Sequence, residues 1–163
     1  ENISVRRGRV ITSACGGISS YLHGDHRKAS LVALSGQNRA LGRDIAMHVT
    51  AINPMVVRSE DVPADVLAKE REIYTTQAND SGKPPEIVEK MVAGRVRKYL
   101  AEVSLLDQPF VKDPNEKVGG LANAAGVEVE QFVRFEVGEG IEVAAEDFAA
   151  EVAAQLQTSG DNN

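Results

Sequence analysis

The chain has 163 residues, of which 42% are hydrophobic and 26% charged, so it can bury the core of one compact domain. Acidic residues outnumber basic residues by 24 to 18, which disfavours sustained attraction to nucleic acid or to anionic lipid. No apolar run approaches the roughly 18 residues of a membrane span. No signal peptide opens the chain, so we expect a cytoplasmic protein.

Three further features of the whole chain narrow its class. The single cysteine, Cys15, has no partner for an internal disulfide, which fits a reducing compartment. There is no Trp and only 4% of the residues are aromatic, which argues against a stacking platform for single-stranded nucleic acid. The chain begins at Glu1, without a methionine and inside a predicted strand, so we expect a fragment of a longer polypeptide.

Three short strands are predicted before the first helix. Apolar residues alternate over residues 3–5 and recur at residues 10–11, and this first strand region is interrupted at Gly16. A second strand is predicted over residues 18–22. The apolar run at residues 31–34 predicts a third strand, buried in a hairpin-like sheet.

Helices are predicted in the middle of the chain. Between Asn38 and Pro54 apolar residues recur at steps of three and four, which indicates an amphipathic helix packed on the sheet. Two longer helices follow, one starting near Pro63 and the other at Pro84, and a short Gly/Pro turn makes them an antiparallel hairpin. Gly94, inside the second of these, predicts the close approach of a neighbour. The apolar positions are Leu41, Ile45, Val49 and Ile52, then Val66, Leu67, Ile73 and Tyr74, then Val88, Met91, Val92, Val96, Tyr99, Leu100 and Val103.

The last part of the chain is predicted to contain a short helix, a strand and a terminal helix. Asp113 followed by Pro114 is typical of a helix start, and Gly126 would end this helix. Residues 144–157 predict the terminal helix, with a disordered tail after it. The strand has period two, with Val127, Val129, Val133, Phe135 and Val137 on one face and Glu128, Glu130, Arg134 and Glu136 on the other.

These elements predict an α+β fold, in which an antiparallel sheet with packed helices carries an inserted antiparallel helical hairpin, or coiled coil. We expect a core formed by residues 1–58 and 107–143. Residues 59–106 would form the hairpin, and residues 144–163 the carboxy-terminal helix module and tail. An exposed apolar stripe on the hairpin would favour self-association, so a homodimer through the hairpin is a further expectation.

Few residues suggest catalysis. His23 and His26 are spaced to share a metal ion, but polar loop histidines explain them better, and no motif gives Cys15 a base or an oxyanion site. No Gly-Lys-Ser/Thr phosphate loop is present, so the chain is not itself a P-loop protein. We therefore expect a binding protein without a cofactor or metal, and we keep a small metal-dependent hydrolase using His23 and His26 as an alternative.

Four segments in order resemble the bacterial translation elongation factor Ts family. They are Asp-Ile-Ala-Met-His-Val at 44–49, Ser-Gly-Lys-Pro at 81–84, Ser-Leu-Leu-Asp-Gln-Pro-Phe-Val at 104–111 and Arg-Phe-Glu-Val-Gly-Glu-Gly-Ile-Glu at 134–142. The likeness extends to about Val152. It implies the carboxy-terminal core, coiled coil and terminal helix of a guanine-nucleotide exchange factor that binds elongation factor Tu and promotes GDP release.

The resemblance also implies site residues. In this family the carboxy-terminal half of the core touches the third domain of elongation factor Tu, and the last helix touches its nucleotide-binding domain. Residues 21–24 match the family loop whose histidine contacts that nucleotide-binding domain. Partner-binding roles are thereby implied for Tyr21, Leu22, His23 and Gly24, and for Phe148 in the terminal helix.

The chain lacks two parts of the family pattern, and one of them is the motif that acts on the nucleotide site. The family's Thr-Asp-Phe-Val motif, which disturbs the magnesium and phosphate site, has no counterpart, and neither does the amino-terminal domain before it. We therefore expect this fragment to bind elongation factor Tu weakly and to exchange nucleotide poorly. A structural dimerisation module without exchange activity is the alternative.

Overall fold

The computed structural model describes residue 5, residues 7–13 and residues 16–140. The predicted terminal helix at 144–157, with Phe148, and the single cysteine, Cys15, lie outside these residues. Within them the fold is α+β, as predicted. The elements are β1 (Ile18–Leu22), β2 (Lys28–Leu34), α1 (Arg39–Ile52), α2 (Ala64–Asn79), α3 (Pro85–Val103), β3 (Pro109–Phe110), β4 (Asp113–Lys117), α4 (Val118–Ala124) and β5 (Val129–Glu136), with short 3-10 turns at Ser59–Asp61 and Leu105–Asp107. None of the described helices is both long enough and apolar enough to cross a bilayer.

The main sheet is antiparallel, with the strand order β1-β2-β5, and α1 covers one of its faces. Asn38 caps α1, because its side chain accepts a hydrogen bond from the backbone N–H of Leu41. The buried residues of this core come from the sheet, from α1 and α4, and from β3, the second 3-10 turn and neighbouring loops. They are Val32, Leu34, Ile45, Ala46, Val49, Val57, Leu105, Phe110, Val118, Ala122, Val127 and Val129.

The prediction that Val129, Val133 and Phe135 share one face of β5 is wrong. Leu34 pairs with Val129 but its neighbour Ala33 pairs with Gln131, so one extra residue bulges from β5. A one-residue shift moves the following side chains to the opposite face. Val129 is therefore buried in the core, whereas Val133 and Phe135 lie on the sheet face away from α1.

Two other local predictions are also wrong. The apolar residues 10–11 lie in no strand, because residues 7–13 form none, and within the described residues two strands precede α1; residues 3–4 of the predicted first strand lie outside the described residues. Asp113 and Pro114 do not start a helix but lie in β4, which pairs with β3. The Asp113 carboxylate accepts the N–H of Asn115, two residues on, and this local turn competes with a helix cap. The helix starts at Val118, whose N–H donates to the carbonyl of Gln108.

The helices α2 and α3 pack as the predicted hairpin around a small apolar cluster of their own. Its buried residues are Ala78, Val92 and Val96, with Leu67, Tyr74, Val88 and Leu100 packed against them. Ile73 was predicted to face this cluster, but its side chain is 48% exposed. The close neighbour expected at Gly94 is not there either, because no atom lies within 4 Å of the position that a Cβ would take.

His48 joins the hairpin to the core. Its Nδ1 accepts the backbone N–H of Val111 (3.2 Å), so Nε2 carries the proton and donates to Gln108 Oε1 (2.8 Å). The Gln108 amide in turn donates to the carbonyl of Glu102 near the end of α3 (2.6 Å). His48 and Gln108 are both buried. One neutral histidine thus connects α1, the end of α3 and the loop between β3 and β4.

We expect Gly94→Ala to raise the free energy of unfolding by about 0.5–1 kcal/mol, because the site is open and alanine is the better helix former. Urea unfolding followed by circular dichroism would measure this change. Gly42→Ala is the matched control in α1. Its Cβ would lie 2.3 Å from Ser19 Oγ and 2.9 Å from Ser19 Cβ, so this variant should be destabilised. An unchanged or lower stability of Gly94→Ala would contradict the prediction.

We also expect acid to destabilise the protein through His48. Burial lowers the pKa of His48 below its ordinary 6.5, although the hydrogen bond to Gln108 opposes this. Below pH 6.5 the unfolded chain therefore binds a proton that the folded chain does not. The free energy of unfolding should fall with decreasing pH, by up to about 1.4 kcal/mol per pH unit from this residue.

Denaturant titrations of the wild type and of His48→Gln at pH 7.5, 6.5 and 5.5 would isolate this contribution. The variant should be less stable at pH 7.5 and should show a shallower dependence on pH. His26→Asn, in an exposed loop, is the control and should keep the wild-type slope. Equal slopes for His48→Gln and the wild type would show that His48 is not the group responsible.

Candidate partner-binding surface

The predicted binding residues lie where β1 turns into β2. The turn is closed by the N–H of His23, which donates to the carbonyl of Lys28 (2.9 Å), and by the N–H of His26, which donates to the carbonyl of His23 (2.9 Å). His26 has a φ of 59°, in the left-handed region. Histidine is one of the non-glycine residues that are enriched in that region.

The four predicted residues do not all share one face. Tyr21 is opposite Ser30 in the sheet, on the α1 side, and is half-buried. Leu22 is opposite Ala29 on the other side and is 55% exposed. His23 and Gly24 are exposed at the tip, and the His23 ring lies 6.4 Å from the Tyr21 ring. The structure thus brings Tyr21 and His23 together and leaves Leu22 on the opposite face.

The negative charge of Asp25 in this turn is stabilised by its neighbours. The Asp25 carboxylate accepts the backbone N–H of Arg27 (2.9 Å), and this bond lowers the pKa of Asp25, with the charges of His23, Lys28 and Arg27 adding to the effect. Asp25 is therefore ionised at neutral pH. The bond also holds the two residues after Gly24 in a defined turn.

The end of β5 supports this turn from the side. The N–H of Val137 donates to the carbonyl of Arg27 (2.8 Å), and Lys28 pairs with Glu136 (3.4 Å). Glu136 also pairs with Arg134 (2.5 Å), and this contact is the main reason why the pKa of Glu136 is lowered. These contacts fix the position of the first residues of β2.

Arg134 is the most important residue of this support. Only 7% of its side chain is exposed, and its Nε donates to the carbonyl of Thr50 in the last turn of α1 (3.2 Å). Its guanidinium also reaches Glu139 (3.5 Å). The sequence pattern places Arg134 on the polar face of β5, so it does not predict the burial of this side chain. The carboxylates of Glu136 and Glu139 nearby in the sequence are the signal that could have indicated a paired, buried arginine.

The three histidines, all in the described part of the chain, differ in their surroundings. His23 and His26 both lie in the exposed turn, and His48 is buried with both ring nitrogens bonded. No group of three His, Cys, Asp or Glu side chains within residues 5, 7–13 and 16–140 is placed to hold one ion.

Comparison with known proteins gives one consistent result. Residues 1–139 match the family model described as Elongation factor TS. The chain is 59% identical over 157 residues to elongation factor Ts of Hahella chejuensis, covering 96% of this chain and 54% of the relative. It is 57% identical over 159 residues to that of Saccharophagus degradans (98% and 55%) and 58% identical over 154 residues to that of Alcanivorax borkumensis (94% and 53%). The chain thus spans about half the length of these curated relatives.

Arg134→Met should loosen the turn without unfolding the protein. It removes the contacts to Thr50 and Glu136, and we expect a loss of about 1–3 kcal/mol in the free energy of unfolding. Amide hydrogen exchange should become faster at His23 and Val137, measured by NMR. Arg7→Met removes the exposed pair with Glu139 and is the control, with little expected effect. Wild-type exchange rates at both amides in Arg134→Met would contradict this role.

Proposed function

Because the chain belongs to the elongation factor Ts family, we propose that the whole protein is a guanine-nucleotide exchange factor of translation elongation, acting in the cytoplasm. Its partner would be elongation factor Tu, from which it would promote release of GDP. The observation that carries this proposal is the family match over residues 1–139, at 59% identity to one curated relative. The exposed turn at His23 supports it, because that turn carries the residues that match the family's contact loop.

The mechanism requires no covalent chemistry. A protein that binds the nucleotide-free GTPase more tightly than the nucleotide-bound one must, by thermodynamic linkage, weaken nucleotide binding by the same factor. A rigid surface suits this task, because a surface that adapted equally well to both states would not discriminate between them. The turn around His23 is held by three backbone contacts and by the buried Arg134, which gives it such rigidity.

Each part of the chain would have its own role in binding. We infer that residues 1–58 and 107–143 form the core that presents Tyr21, Leu22, His23 and Gly24. Residues 59–106 form a hairpin whose outer face would contact a second copy, and residues 144–163, with Phe148, would contact the GTPase. Because the Thr-Asp-Phe-Val motif is missing, this chain alone should bind weakly and exchange poorly.

Release of a fluorescent GDP analogue from elongation factor Tu would test the proposal. We expect the full-length product to accelerate release strongly and this chain to do so weakly. In the full-length product, His23→Ala should reduce the acceleration by about tenfold, as expected for losing one well-placed contact worth about 1.4 kcal/mol. His26→Asn, a histidine change in the same turn, is the matched control and should keep most of the activity.

Three outcomes would count against the proposal. If the full-length product gave no acceleration, the exchange function would be wrong. Equal losses for His23→Ala and His26→Asn would remove the specific role of His23. If light scattering showed a dimer of this chain, and the full-length product never formed a complex with elongation factor Tu, the structural dimerisation module would be the better assignment.

A further inference from the structure

Within the described residues, the β1 edge of the main sheet is open for pairing. In the strand order β1-β2-β5, β2 is the only described strand that lies beside β1. Its bonded pairs with β2 include Gly17 with Leu34 and His23 with Lys28. Because bonded and non-bonded pairs alternate in an antiparallel ladder, Ile18, Ser20 and Leu22 direct their N–H and C=O groups away from β2. These groups form a template for an additional strand.

A groove runs along this edge. It has a volume of about 510 Å³ and is lined by all five residues of β1 and by two arginines from α1, Arg39 and Arg43. Ile18 and Leu22 are half exposed on the outer sheet face, at 47% and 55%. The groove therefore combines backbone groups that face away from β2, apolar side chains and positive charge. An extended peptide can form hydrogen bonds, apolar contacts and ion pairs with these groups.

The two arginines carry charge that the described part of the chain does not neutralise. Both are exposed and lie one turn apart on α1, and neither side chain makes a hydrogen bond or ion pair with another described residue. The nearest carboxylate on α1, Asp44, is paired with Lys112. In a chain of net charge −6, this is a local positive site.

We propose that the β1 edge binds an extended segment of a protein partner that carries carboxylates at alternate positions. Residues i and i+4 of a helix are about 6 Å apart, and residues i and i+2 of a strand are separated by about 6.6 Å. Two acidic side chains on one face of an added strand can therefore face Arg39 and Arg43 together. The segment's backbone pairs with Ser20 and Leu22, and strand addition of this kind takes affinity from the backbone and specificity from alternate side chains.

The chemistry favours an acidic peptide over a nucleic acid. The net negative charge of the chain opposes a polyanion with many phosphates, whereas two carboxylates match two arginines. The outward N–H groups of β1 also need carbonyl acceptors at the spacing of a strand, which a peptide backbone supplies and a sugar–phosphate chain does not.

Two fluorescent peptides would test the proposal by anisotropy. One has the sequence Thr-Glu-Val-Glu-Val and the other Thr-Lys-Val-Lys-Val, both with blocked ends. We expect the acidic peptide to bind at least tenfold more tightly, with affinity that decreases as salt increases. NMR should show shifts and slower amide exchange at Ser20 and Leu22 when the acidic peptide is added. Binding of these probes does not require the exchange activity proposed above, so the two proposals can fail separately.

Variants would locate the site. Arg39→Glu combined with Arg43→Glu should weaken the acidic peptide by about tenfold or more, since each exposed pair accounts for up to about fivefold in affinity. Arg71→Glu combined with Arg97→Glu makes the same charge change on the exposed hairpin and should have little effect. Ser20→Pro removes an outward N–H, and an edge strand tolerates proline there, so this variant should keep its fold and lose binding.

Several results would overturn the proposal. The two peptides could bind with equal affinity, or the two arginine double variants could lose the same amount of affinity for the acidic peptide. The NMR shifts could also be confined to the hairpin. Displacement of the peptide by a short oligonucleotide that binds more tightly would assign the groove to nucleic acid instead. Wild-type affinity in a folded Ser20→Pro variant would show that the backbone edge is not used.

Discussion

The buried hydrogen bond between His48 and Gln108 is the contact on which the arrangement of the fold depends. The hairpin is inserted between α1 and the β3–β4 unit, so its two ends must be held near each other. Backbone bonds from Leu105 to Val56 and from Leu106 to Val57 hold them there, beside the core residues Val57 and Leu105. His48 adds a buried link between α1, the end of α3 and the β3–β4 loop. Such a link requires a neutral imidazole, because Nδ1 must accept the N–H of Val111.

A second buried polar group, Arg134, joins α1 to β5 near the same carboxy-terminal end of the helix. It binds the carbonyl of Thr50, where helical carbonyls lack partners, and a cation is favoured at this helix end. Two buried polar side chains therefore fix the carboxy-terminal half of α1, His48 to the hairpin and the β3–β4 loop and Arg134 to β5. Apolar packing supplies most of the stability, whereas these directional contacts determine where the hairpin and the His23 turn point.

Local patterns predicted the elements whose conformation is decided locally. The α1 helix, the hairpin helices and the strand at residues 18–22 follow from apolar period, proline positions and turn residues. The bulge in β5, the β3–β4 pairing and the burial of Arg134 depend on contacts between residues far apart in sequence, which a periodic pattern does not encode. The predicted binding residues came from the family resemblance. Arg39 and Arg43 were missed because they read as the solvated face of an amphipathic helix.

The turn at His23 and the open edge belong to the same five-residue strand, and this has a physical consequence. A sheet of three strands is near the lower limit of independent stability, and its edge strand is the part that opens most easily. A fourth strand on β1 would protect the backbone groups of Ser20 and Leu22 and would restrain the residue next to His23. Occupancy of the edge would then stiffen the turn further, so that the side chains of Tyr21 and His23 would sample fewer orientations. The two surfaces would therefore be coupled through β1 without any large movement of the core.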